Sequence, residues 1–214
     1  EILNIANANS KLLFLCSPNN PTGNSFEVKS IERLIKEFNG IVVIDEAYID
    51  FSNTESWANR LNEFSNLIIT QTLSKAHGMA GIRLGICYAS EEIISVLNRI
   101  KPPYNVNILT QQKAISQLEQ QGLTQNQVTN ILKERDLLIT KLESIDYISK
   151  IYPSDANFVL VEVDDANKRY DQLIDKGIVI RNRTTQPGCE NCLRFTIGTP
   201  KENRTLIDTL KSIS

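Results

Sequence analysis

Histidine is almost missing from this chain: His77 is the only one in 214 residues. That scarcity excludes a histidine-based metal centre, and the four cysteines do not make up the difference. Cys189 and Cys192 form a lone CxxC, but a zinc site needs two further ligands and His77 lies more than a hundred residues upstream. A redox CxxC sits at a helix N-terminus, whereas this one runs into an expected strand over 193–197. So few cysteines, without a disulfide pattern, point to the cytoplasm. Long apolar runs are also missing. The longest, at 12–16 and 41–44, have strand length, far below the ~20 residues of a membrane-spanning helix. No signal peptide is visible. Neither charge is in surplus, with 23 Lys+Arg interleaved among 25 Asp+Glu. Neither a nucleic acid nor a membrane surface is therefore an expected partner. An initiating Met is absent as well: Glu1 leads within a few residues into a buried-looking strand, and we expect further sequence before it.

What is present is an ordinary globular composition, 41% hydrophobic and 22% charged, with enough chain for one large domain or one and a half. The first half alternates short apolar runs with amphipathic stretches, which predicts an α/β fold with a mostly parallel sheet and helices on both faces. Strands are expected at 11–16, 41–45, 67–72 and 82–89. Only a polar loop separates the last two, a spacing compatible with an antiparallel pair. Val28, Ile31, Leu34, Ile35 and Phe38 recur at helical spacing between the first two strands. Pro102 and Pro103 stop a helix over 91–101. Long helices are expected at 106–121 and 125–145, the second with an apolar stripe of Val128, Ile131, Leu132, Leu138, Ile139, Leu142 and Ile145. After Pro153 the texture becomes α+β: strand 158–163, helix 166–176, and strands 178–181 and 193–197. A final helix opens on the capping box Thr199-Pro200-Lys201-Glu202. The expected organisation is a large domain over 1–123, followed over 124–214 by a connecting helix and a small α+β domain. Repeats and low-complexity segments are lacking.

Four signals sit at strand ends or in adjoining loops, where open α/β sheets place ligands. The first is the turn Asn20-Pro21-Thr22-Gly23, which alone is only a good turn. The second is Asp45-Glu46-Ala47-Tyr48, closing the apolar strand at 41–44. Its Asp45 either caps the next helix or holds a positive charge at a dry strand end. The third is Thr72-Leu73-Ser74-Lys75, where a lysine lies between an apolar strand and a turn containing Gly78, Gly81 and Gly85. Such a position suits a lysine that must expose a neutral amine. The fourth is Arg83, eight residues on, flanked by Ile82 and Leu84; an arginine inside so apolar a strand needs an anionic partner.

Taken together and in this order, these residues resemble the fold type I pyridoxal-phosphate aminotransferases. Within that superfamily the chain is most similar to the histidinol-phosphate aminotransferases, on VVIDEAYIDF at 42–51, TLSKAHGMAGIRLG at 72–85, IVIRNR at 178–183 and CLRFTIGTPKEN at 192–203. The resemblance implies pyridoxal 5'-phosphate as cofactor, carried on Lys75 as a Schiff base, with Lys75 then acting as the base that moves the substrate α-proton. It implies Asp45 on the pyridine nitrogen and Asn20 and Tyr48 on the ring hydroxyl. Thr72, Ser74 and Arg83 are implied on the cofactor phosphate. Arg194 is implied as the clamp for a carboxylate and Arg181 as the contact for a substrate phosphate, while Arg183 and Arg204 are expected to be surface arginines. His77 stands where relatives more often carry an aromatic, and is read as structural.

The implied activity is amino transfer between glutamate and imidazole-acetol phosphate, giving histidinol phosphate in histidine biosynthesis, by a cytoplasmic homodimer. The alternatives on the same scaffold are an aromatic aminotransferase or a threonine-phosphate decarboxylase. From a different class, a non-catalytic binding module has no need to keep Lys75, Asp45 and Tyr48 together. The superfamily's glycine-rich phosphate loop and its ring-stacking aromatic are not found here and are expected upstream of Glu1, so residues 1–214 alone are expected to be a poor enzyme.

Overall fold

The structure, a computed structural model, describes residues 1–213, with Gln121 as backbone alone. The chain divides into two compact units: Glu1–Pro18 with Ser25–Thr124, and Asn19–Asn24 with the chain from Gln125 onward.

In the first unit, α1 (Ile2–Ile5) and β1 (Leu12–Cys16) precede α2 (Val28–Glu37) and β2 (Ile41–Asp45). β3 (Leu67–Thr72), β4 (Gly85–Ala89), α3 (Glu91–Ile100) and α4 (Ile108–Leu118) come next. The sheet order is β1-β2-β3-β4. β1, β2 and β3 run parallel, and β4 returns antiparallel to β3. Val42, Val43 and Ile44 are all buried, as befits a strand covered on both faces. Ile31 and Ile35 of α2 and Leu67 and Ile69 of β3 complete the core around Val42 and Ile44. α2 buries one stripe because Ile31 and Ile35 are one turn apart, and it ends where Phe38 turns extended ahead of Gly40.

The second unit contains most of α5 (Gln121–Leu142), then β5 (Ile148–Ile151), β6 (Phe158–Val163), α6 (Ala166–Asp175), β7 (Arg181–Asn182), β8 (Cys192–Thr196) and α7 (Pro200–Ser212). Its sheet, in the order β5-β6-β8-β7, is antiparallel throughout. Alternation along β6 and β8 sends Val159, Val161, Val163, Leu193 and Phe195 into a core closed by Leu138, Leu142, Leu173, Leu206 and Leu210 of the helices. Phe158, Leu160, Glu162, Cys192, Arg194 and Thr196 therefore belong to the other face. Tyr147 Oη donates to the carbonyl of Leu210 (3.0 Å), and Arg169 donates to that of Ile213, satisfying carbonyls at the end of α7. Thr199 and Glu202 form the expected reciprocal cap at its start.

Several boundaries differ from expectation for identifiable reasons. The strand expected over 178–181 shrinks to Arg181–Asn182, because Gly177 and Ile178 donate to Ile174 and Leu173 and close α6 instead. The helix expected over 106–121 is shorter, since Asn107 Oδ1 accepts from Thr110 N (3.0 Å) and sets its start. β5 was not anticipated. The strand expected over 82–89 begins at Gly85: Ala80–Ile82 form a 3-10 turn, and Arg83 adopts a left-handed conformation with φ 55°. Arg83 is thus not held inside an apolar strand. It is exposed, and its guanidinium donates to the carbonyl of Ala80 (3.0 Å).

Candidate active site

Parallel strands expose their carboxyl ends to ligands, and in the first unit that end carries the aspartate and tyrosine. Asp45 closes β2, and its Oδ1 accepts from the amide of Ala47 (3.0 Å), shaping the turn to Tyr48. Both alternatives for Asp45 survive this geometry: one oxygen organises the turn, and the carboxylate still stands at a strand end. Burial, and then the charge of Asp45, push the thiol of neighbouring Cys16 above its ordinary range. The Tyr48 ring is buried.

Glu46 was not singled out from sequence, yet it is the most thoroughly engaged side chain of this turn. It is 1% exposed. It accepts from the Trp57 amide (2.7 Å), from Ser56 Oγ (2.6 Å) and from Gln71 Nε2 (2.8 Å). It thereby ties the end of β2 to the end of β3. A buried donor stranded without its acceptor costs about 1–3 kcal/mol, so Glu46→Ala is expected to destabilise the fold by about 2–4 kcal/mol. Urea melts of the intact protein measure this; a loss below about 0.5 kcal/mol, the size of an ordinary surface change, would show that the network holds nothing.

Beyond β3 the chain makes a hairpin. Thr72 pairs with Gly85, and Leu73 N donates to Leu84 O (3.2 Å), so both ends of the loop over 73–84 are tied together. Met79 N donates to Leu73 O (3.0 Å) within it. Thr72 Oγ1 lies 2.9 Å from Ser74 Oγ and accepts from the Ser74 amide (3.1 Å), which gathers two hydroxyls at the strand end. Lys75, half-buried, places its Nζ 5.1 Å from the centre of the Tyr48 ring and makes no ion pair or hydrogen bond with its side chain among the described residues. A cation over an aromatic face is weakly held, and its amine stays available to a ligand. Arg83 closes the same loop in its left-handed turn. A non-glycine residue held there is uncommon and is a pointer to function. His77 Nδ1 lies 3.4 Å from Thr124 Oγ1.

The second unit carries Asn20, Arg181 and Arg194. Arg194 donates to Asn20 Oδ1 (2.6 Å) and stacks on Phe158 (4.7 Å). The turn of Asn20 is seated by Gly23, whose φ is +81° and where a Cβ would come within 2.7 Å of Ser154 Oγ. Arg181 faces Arg194 directly across the β7–β8 ladder. Like charges so opposed repel, and a shared anion relieves them. Arg204 is exposed as expected, but Arg183 is not a surface arginine: it is half-buried, with Nε fully so. Cys189 and Cys192 are buried free thiols, and burial, followed by the neighbouring Cys189 and Glu162, pushes Cys192 up to about 11. Thiols in that state are poor nucleophiles and poor metal ligands. Among the described residues no cluster of His, Cys, Asp and Glu is arranged for a metal, and no helix is long and apolar enough to cross a membrane.

Residues 2–210 match the family model for aminotransferase class I and II. The chain is 60% identical over 214 residues to a histidinol-phosphate aminotransferase of Flavobacterium johnsoniae, covering all of this chain and 61% of that protein. It therefore spans about three fifths of the length of this relative. Among solved structures, the histidinol-phosphate aminotransferase of Clostridium acetobutylicum superposes with a TM-score of 0.89 at 28% identity, over 95% of this chain and 64% of that one. The enzyme of the same name from Sinorhizobium meliloti, solved in complex with pyridoxal-5'-phosphate, gives 0.85 at 24% identity over 96% of this chain and 59% of that one, a likeness of fold alone. With nearly its whole length under the family model, and with an aspartate, a tyrosine and a lysine grouped at the strand ends of an α/β sheet, the chain belongs to the class I and II aminotransferases.

Proposed function

We propose that this chain is part of a pyridoxal-phosphate enzyme that moves an amino group between glutamate and imidazole-acetol phosphate, forming histidinol phosphate. The observation that carries this reading is the Lys75 amine, half-buried beside Tyr48 with no acidic partner among the described residues, on a loop that also gathers Thr72 and Ser74. These residues fit the cofactor: a lysine for its aldehyde, a carboxylate for its ring nitrogen, and hydroxyls with Arg83 for its phosphate. When bound, pyridoxal phosphate supplies an electron sink that makes the substrate α-proton removable. Lys75 Nζ would be the base that takes that proton and hands it on, a role that needs a neutral amine at the moment of transfer. Asp45 would place a negative charge beside the ring nitrogen, which favours its protonated form, and Tyr48 and Asn20 would hold the ring hydroxyl. Arg194 holds the glutamate carboxylate through its planar fork, and Arg181 takes the substrate phosphate. A homodimer in the cytoplasm is proposed on the family resemblance, with sedimentation velocity as the check on assembly.

The test is amino transfer from histidinol phosphate to 2-oxoglutarate by the intact protein, read as glutamate formed. Faster transfer from phenylalanine, or carbon dioxide released from threonine phosphate, would replace the reading with one of its sister activities. Asp45→Asn is expected to weaken cofactor affinity about ten- to a hundredfold, the worth of one charge-assisted hydrogen bond. Equilibrium dialysis against pyridoxal phosphate measures it, and unchanged affinity together with unchanged turnover would leave Asp45 as a turn former only.

A further inference from the structure

We infer that Arg183 and Thr184 form a phosphate-recognising corner beside Arg181, an inference that rests on the reading of a phosphorylated substrate above. Arg183 Nε and Thr184 Oγ1 are both buried and have no hydrogen-bond partner among the described residues. A guanidinium cannot shed its charge, and a buried donor without an acceptor is disfavoured, so two such donors on consecutive residues call for an anion.

A loose loop does not explain the pair, because the backbone around it is tied down. Arg183 N donates to Cys192 O (2.8 Å), Thr184 N to Asn182 Oδ1 (2.9 Å), and Gln186 N to Arg183 O (2.8 Å). The first of these bonds continues the β7–β8 ladder by two residues past Arg181, which puts Arg183 on the same sheet face as Arg181 and Arg194. The sheet's helix-covered core lies on the opposite face. Three arginines thus share this other face, where Leu160 and Cys192 are themselves buried. The carboxylate that β6 brings to this face, Glu162, accepts from Tyr152 Oη (3.3 Å), and neither Arg181 nor Arg183 forms an ion pair among the described residues. The positive charge of Arg183 also reaches Cys189, whose thiol is raised chiefly by burial and lowered in part by that guanidinium.

The chemistry of the corner favours phosphate over carboxylate. A carboxylate is filled by one guanidinium fork, whereas a phosphate monoester offers three terminal oxygens and takes a second guanidinium edge together with a hydroxyl. A cavity of about 740 Å³ on the helix side, lined by Ile178, Val179, Phe195, Lys201 and Leu206, brings no arginine and has no part in this.

The experiment uses the intact protein with cofactor bound. Rates of the half-reactions with histidinol phosphate and with glutamate are compared in wild type, Arg183→Gln and Thr184→Val, alongside inhibition by inorganic phosphate. Arg183→Gln is expected to lower kcat/KM for histidinol phosphate about 10–100-fold, the scale of a charge-assisted contact, and at least tenfold more than for glutamate. The phosphate inhibition constant should rise in parallel. Thr184→Val, nearly isosteric, should show the same bias at about 3–10-fold, and it decides the matter if Arg183→Gln does not fold. Equal losses for both substrates, or phosphate inhibition unchanged by both substitutions, would overturn the corner. If wild type does not use histidinol phosphate while phosphate inhibition still weakens in Arg183→Gln, the corner stands and the proposed substrate falls.

Discussion

Replacing Lys75 by alanine is expected to abolish amino transfer, and borohydride reduction of the cofactor-loaded wild type is expected to leave its pyridoxyl label on Lys75. Loss of a positioned base costs about 10²–10⁴ in rate, and here the covalent anchor of the cofactor is lost with it. The geometry narrows the alternatives. Lys75 lies over the Tyr48 ring in a loop whose ends are paired in the sheet, whereas Lys101 and Lys113 are exposed on other segments. Peptide mapping that found the label on either of those two would overturn the assignment. Fold loss does not confuse the result, because the Lys75 side chain makes no hydrogen bond among the described residues and its truncation strands no partner.

The second large effect is expected at Arg194. Arg194→Ala should impair the glutamate half-reaction by about 2–5 kcal/mol, roughly thirtyfold to a few thousandfold, the range for truncating one member of a desolvated charge pair. Histidinol phosphate has no carboxylate and should lose less, while Arg181→Ala should show the reverse bias. Arg194 also stacks on Phe158 and donates to Asn20 Oδ1, so alanine removes packing together with charge. Arg194→Lys separates the two: it keeps the charge and loses the planar fork. Single-turnover kinetics with each substrate decides, and equal losses in both half-reactions would contradict the division of labour.

How far these features could be read from sequence depended on the range of the interaction that creates each one. The strand at 41–45 was legible because a continuous apolar run followed by a carboxylate is a local pattern. Lys75 was legible for the same reason, by its place between an apolar strand and a glycine-rich turn. Glu46 was not, because its partners Ser56, Trp57 and Gln71 are distant in sequence, and an acid next to Asp45 reads as one more polar residue. Arg83 misled through its neighbours: Ile82, Leu84 and Ile86 alternate like a strand, but the hairpin register stops at Gly85. Arg183 misled differently. It opens a turn-rich stretch that reads as surface, and its burial is decided by a ladder bond to Cys192. The turn at 19–24 groups with the second unit through contacts such as that of Gly23 with Ser154, which no window along the sequence contains.

The pairing of Thr72 with Gly85 has a kinematic consequence. A free loop of this length would carry its lysine through microsecond excursions, and each productive encounter would have to be recovered from that wandering. Here the sheet ties both ends of the loop and Met79 N donates to Leu73 O within it, which shortens the span over which the backbone beside Lys75 can move, while its four-carbon stem turns on the picosecond-to-nanosecond scale. In the role proposed for it, the amine would pass between anchoring the cofactor and ferrying a proton by turning about that stem.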